Sequence, residues 1–166
     1  MEQSVGSTVP SKLPAGAADF DFLIGDWRVE HRRLADRLSG STDWVEFEGT
    51  TRVRPILGGL GNFDENQIGL PNEPYEACTL RLFDPAARHW SIHWIDGRNP
   101  VLDPPLRGTF ADGVGTFFGE DRHEGRPIHV RFFWTVESPE CARWEQAFSD
   151  DGQQTWETNW TMVFRR

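Results

Sequence analysis

From Trp27 onward the chain runs as short stretches of alternating apolar and polar residues, broken by turn formers every 8 to 15 positions. Alternation gives a pleated strand one apolar and one polar face, and many short strands between turns build a sandwich or a barrel. Strands are expected at 27–34, 43–56, 61–69, 77–83, 89–96, 106–111, 114–120, 128–137, 141–149 and 154–165. Only "AADFDFLIG", 17–25, admits a helical turn, and it is expected to plug one barrel end. No repeat or linker divides residues 19–166, which are read as one all-β antiparallel barrel domain behind a flexible Ser/Gly/Pro/Ala tail at 1–18.

Two turns fix local registers. Asp112-Gly113 suits a two-residue type I′ hairpin, which sets Phe110 opposite Gly115 and Phe117 opposite Gly108, so that rings cover bare glycines. Asp150-Asp151-Gly152 suits a three-residue loop, which sets Trp144 across from Thr158 and Gln146 across from Trp156. Parity then assigns Trp27, Val29, His31, Val45, Phe47, Leu80, Leu82, Trp90, Ile92, Trp94, Phe132, Trp134, Trp144, Phe148, Trp156, Trp160, Met162 and Phe164 to the inner face. Arg28, Glu30, Arg32, Glu46, Glu48, Arg81, Arg131, Arg143, Glu145, Glu157 and Arg165 fall outside. The inverse assignment would expose a large tryptophan patch.

Gly25-Asp26-Trp27 at the head of the first strand resembles the Gly-x-Trp signature of lipocalins and the wider calycin barrels. In those folds an arginine late in the last strand packs near the tryptophan, a part that Arg165 or Arg166 of "WTMVFRR" is expected to take, with Arg165 as the first choice. Residues 19–166 are similar to an uncharacterised group of bacterial lipocalin-like proteins through "DFDFLIGDWRVEHRRL", "GLGNFDEN", "LRLFDPAARHWSIHW", "GTFADGVGTFFG" and "RWEQAFSDDGQQTWETNW". The resemblance implies a lipocalin-like barrel of about ten strands. It implies no particular activity.

Composition narrows the function classes. A formal net charge of −9 disfavours nucleic acids and anionic membranes as partners. The N-terminus has neither the basic start nor the apolar run of a secretory signal. Cys78 and Cys141 are too few for a disulfide scaffold and are read as buried free thiols of a cytoplasmic protein, monomeric or homodimeric. The single lysine, Lys12, lies in the tail, which argues against Schiff-base and pyridoxal-phosphate chemistry.

No metal or other cofactor is expected. His89 and His93 would stand about 13 Å apart on a strand, too far to share an ion. His123 and His129 flank a turn without a third ligand, and haem would have only His31 or His93 as a single donor. There is no Gly-x-Ser-x-Gly elbow, and "GGLG" lacks the lysine and following helix of a phosphate cradle.

Two readings are left open. Ten strands enclose a wider space than side chains just fill, and indoles give flat, rigid walls. The first reading is therefore a binder of a small, largely apolar, planar or polycyclic molecule, held by Trp94, Trp134, Trp144, Gln146, Thr158 and Trp160. The alternative is a cofactor-independent cyclase, isomerase or dehydratase in which His31 and Glu65, read as facing the cavity, move a proton. A hydrogen-bonded core histidine and a rim glutamate are the simpler account of that pair.

Overall fold

The computed structural model describes residues 12–166. They form ten strands: β1 (Gly25–Leu34), β2 (Trp44–Ile56), β3 (Gly61–Ile68), β4 (Tyr75–Asp84), β5 (His89–Asp96), β6 (Leu106–Ala111), β7 (Val114–His123), β8 (Arg126–Ser138), β9 (Cys141–Ser149) and β10 (Glu157–Arg165). Each strand pairs antiparallel with its sequence neighbours, and β1 pairs with β10, so the sheet closes into a barrel without a free edge. The all-β expectation holds.

The β6–β7 hairpin follows its turn chemistry. Asp112 and Gly113 take φ of 52° and 78°, as a type I′ turn demands. Phe110 pairs with Gly115 and Gly108 with Phe117. A Cβ on Gly115 would meet Phe110 Cζ at 2.7 Å, so the ring occupies the space a side chain would need.

The β9–β10 connection departs from expectation. It is a seven-residue loop, 150–156, rather than a three-residue one, and Trp144 pairs with Met162 and Gln146 with Trp160. The Asp151 carboxylate accepts hydrogen bonds from Ser149 Oγ and from the Gln154 and Thr155 amides, which stabilises the wider loop. A bulge at Asn159 then reverses parity below Trp160. Trp156 therefore sits outside, against Phe118 and under the Arg131 guanidinium, and Glu157 pairs with Phe148.

Strand β4 is also inverted relative to the sequence reading. Thr79 and Arg81 are buried, while Leu80 and Leu82 are half-exposed on the outer face. The cause lies on β3, whose inward residues Asn62, Asp64 and Asn66 are polar and give Arg81 its partners. Cys78 and Cys141, expected buried, are half-buried free thiols.

One end of the barrel is closed. The chain before β1 turns across it through a 3-10 turn, Asp21–Leu23, and buries Ala17, Phe20 and Leu23. Phe20 packs edge-on against Trp90 and Phe110, with ring centroids at 5.0 and 4.8 Å, and the Trp90 indole donates to Gly16 O at 3.0 Å. The expected tail, 1–18, lies largely outside the described residues, but its last residues are this plug rather than loose chain.

Trp27 donates its indole N–H to Leu23 O at 2.7 Å, and an arginine covers its ring. That arginine is Arg166, with Cζ 4.0 Å from the ring centroid. Its guanidinium donates to Ile24 O at 2.5 Å, Phe22 O at 3.1 Å and Pro139 O at 3.1 Å. Arg165, the first choice from sequence, alternates outward from Phe164 and pairs with Glu30 at 3.4 Å. Trp27→Ala should cost about 3–5 kcal/mol, as buried large-to-small changes do. Arg166→Ala should cost about 1 kcal/mol through the lost stacking on Trp27, since water can take over the exposed carbonyls, and Arg165→Ala less than that. Urea unfolding of the three variants measures this order directly.

Candidate binding cavity

At the end opposite the plug, the barrel opens between the loops 35–43, 69–74, 97–105, 124–125 and 150–156. A cavity of about 390 Å³ runs inward from this mouth. One wall is aromatic: Trp94 on β5, Phe132 and Trp134 on β8, Trp144 and Phe148 on β9, and Trp160 on β10. These rings brace one another edge to face, with Trp144 and Trp160 centroids 5.5 Å apart at 88° and Trp94 and Trp160 6.0 Å apart at 83°. Such contacts fix the ring planes and leave flat faces free for a guest.

The facing wall is polar and comes from β3 and β4. Asp64 and Arg81, 1% and 4% exposed, form an ion pair at 2.8 Å. Asp64 also accepts from the Asn66 amide at 2.5 Å and from the Thr79 backbone at 2.8 Å. Arg81 also donates to Asn62 at 2.9 Å, and Thr51 donates to Asn66 Oδ1 at 2.5 Å. A buried ion pair persists only when its remaining donors and acceptors are satisfied. Here one is not: Arg81 Nε is buried without a partner among the described residues. The guanidinium lies over the Phe20 and Trp134 rings, between plug and cavity.

Of the residues read from sequence as ligand contacts, Trp94, Trp134, Trp144, Gln146 and Trp160 line the cavity. Thr158 does not, because the Asn159 bulge turns it away with Ala147. Gln146 instead donates to the fully buried Asn159 at 2.9 Å. Arg131, outside as expected, stacks on Phe133 and Trp156.

His31 and Glu65 are not brought together. Glu65 points out of the barrel and pairs with Arg54 at 2.8 Å, because Asp64 and Asn66 take the inner face of β3. His31 is inside but behind the cavity wall, stacked on Phe47 at 4.7 Å. Its Nδ1 accepts the Trp160 indole N–H at 3.2 Å, which requires the neutral ring. Burial, and then the charge of Arg33, push its pKa down to about 4.

The rim holds the titrating group that the interior lacks. Asp103, in the loop after β5, lines the mouth with Asp121 and His123. Partial burial of its carboxyl, and then the charges of Asp121 and Asp96, raise its pKa to about 6. Among the described residues no group of three or more His, Cys, Asp or Glu converges as a metal site, and no helix is long and apolar enough to cross a membrane.

Sequence reasoning does not reach the polar wall or the rim. The signal of the wall lies in "NFDEN" and "TLRL", where alternation admits either face and hydropathy alone gives the inside to the apolar residues. No model of a known protein family matches the chain, and no curated protein matches it either.

The His31 geometry sets a pH dependence. The folded state holds this ring neutral down to about pH 4, whereas an exposed histidine protonates near its ordinary value of 6.5. The stabilisation is therefore complete above that value and is lost as the pH falls from there towards 4. His31→Gln keeps an acceptor for Trp160 and takes up no proton. Between pH 7 and 4.5 the parent should lose about 2 kcal/mol more stability than this variant, read from denaturant melts at each pH.

Proposed function

We propose that the protein binds one small, largely apolar molecule with a planar or polycyclic body in the barrel cavity. The observation that carries this reading is the opposition of the two walls: braced indoles on one side, and on the other a hydrogen-bonded polar wall whose Arg81 Nε has no partner. The aromatic wall suits a flat hydrocarbon body, and the polar wall opposite suits a polar atom on its far edge. The volume of about 390 Å³ falls in the range of small-molecule sites, roughly 300–1,000 Å³.

Gly25, Trp27 and the arginine stacked on that indole support placing the chain among the lipocalin-like calycin barrels. In this reading it is a bacterial member, and its two free thiols suit the cytoplasm.

A cofactor-independent isomerase, cyclase or dehydratase is the second reading. It needs a proton-moving group in the cavity, and Asp103 rather than His31 or Glu65 meets that condition.

N-phenyl-1-naphthylamine, a neutral flat probe, should quench the intrinsic tryptophan fluorescence saturably with one site per chain. It should also raise the melting temperature, by about 2.7 kcal/mol of stabilisation at a hundredfold excess over Kd. Trp144→Ala should weaken binding about tenfold or more, through the lost ring contact. Arg143→Ala, on the outer face beside Glu137, should leave binding unchanged. If a panel of flat neutral compounds gives neither quenching nor a thermal shift, the rings serve packing alone.

A further inference from the structure

The mouth carries three arginines that the cavity walls do not explain. Parity along β1 continues past His31 and turns Arg33 inward, where its Nη1 donates to Tyr75 Oη at 3.3 Å. Its guanidinium lies 5.1 Å from the Trp160 ring centroid. Arg98, from the loop after β5, lies 3.8 Å over the same Tyr75. Arg37, from the loop after β1, sits 5.7 Å over Phe148 and lines the cavity.

Two of the carboxylates nearby are already engaged. Asp96 takes two hydrogen bonds from the Arg98 side chain and one from the Trp94 indole. Glu157 accepts the Leu38 amide at 2.8 Å, which ties the Arg37 loop down. Among the described residues neither Arg33 nor Arg37 forms an ion pair within 4.0 Å. In a chain of net charge −9, carboxylates are abundant, yet neither of these two arginines is paired with one. Partial burial and the like charges of Arg33 and Arg98 press the Arg37 pKa below its ordinary value, against the opposing pull of Glu157.

We propose that Arg33 and Arg37, with Arg98 beside them, receive the single anionic group of a flat aromatic acid whose body lies in the cavity. This rests on the cavity being the binding site. A guanidinium fork matches a carboxylate, sulfonate or phosphate edge, and the rings beneath these arginines hold the forks in place. Asp103 and Asp121 also line the rim, with Asp103 within reach of the Arg98 charge, and they disfavour the head group on their own side.

The test compares two probes that differ by one group, 8-anilino-1-naphthalenesulfonate and its uncharged parent N-phenyl-1-naphthylamine, on the whole protein. The sulfonate should bind about tenfold more tightly, a preference that added salt reduces. Arg37→Gln and Arg33→Gln should each remove most of that preference, weakening the sulfonate far more than the neutral probe. Should Arg37→Gln fail to fold, Arg37→Lys, which keeps the charge and loses the fork, should show a smaller loss. Equal affinities for the two probes in the parent protein overturn the anion site and leave the cavity reading standing. Failure of both probes to bind overturns both. A preference that survives both glutamine variants and disappears in Arg81→Gln overturns the rim assignment, because the head group then sits on the polar wall.

Discussion

A sheet of ten antiparallel strands cannot close tightly enough for its inward side chains to meet across the middle. The protein meets that constraint differently at its two ends. Near the start of β1, residues outside the sheet fill the space, with Phe20 and Leu23 inserted among Trp90, Phe110 and Phe117. Towards the loops 97–105 and 150–156 nothing comparable enters, and the gap persists as the cavity. The hollow half is thus the part of a wide barrel that the plug does not reach.

The Arg81–Asp64 pair stands at the boundary between the two halves. Removing two charges from water costs several kcal/mol each, so the pair persists only with further hydrogen bonds around it. Asn62, Asn66 and the Thr79 amide supply them, and so the inner face of β3 is polar over three successive inward positions. Apolar residues at those sites would tend to collapse onto the tryptophans opposite. A polar wall bonded largely within itself has less to gain from collapse, which keeps the space open.

The strand count, the closed end and the Asp112-Gly113 hairpin were legible because each depends on local chemistry: alternation, a Gly-x-Trp start and a turn that needs positive φ. Five of the six expected ligand contacts line the cavity for the same reason, since tryptophans on regular strands keep their parity. The failures are all non-local. Nothing within "TLRL" says that Arg81 has an aspartate waiting across the sheet, so Leu80 and Leu82 were given the inside. Nothing before Asn159 announces the bulge that moved Trp156 and Thr158. Asp64 and Glu65 are equivalent carboxylates to a sequence reading, and only their pairing with Arg81 or Arg54 separates core from surface. Arg33 was within reach, one alternation beyond His31, but a charged residue at a strand end is ordinarily read as solvated.

The order of the strands also governs how such a barrel comes together. Every pairing but one joins neighbours in sequence, so hairpins can add one after another as a growing meander. Only the β1–β10 contact spans nearly the whole chain, and its loop-closure entropy must be met before it returns any pairing energy. Until then the sheet has two open edges, each a template on which another copy could extend it. The lateral row Arg28, Glu30 and Arg32 on β1, which in the closed barrel looks like ordinary surface, lies along one of those edges. In the antiparallel self-pairing centred on Glu30, Arg28 would face Arg32 and Glu30 its own copy, so like charges oppose that docking of two unfinished sheets, a protection that becomes redundant once the seam is sealed.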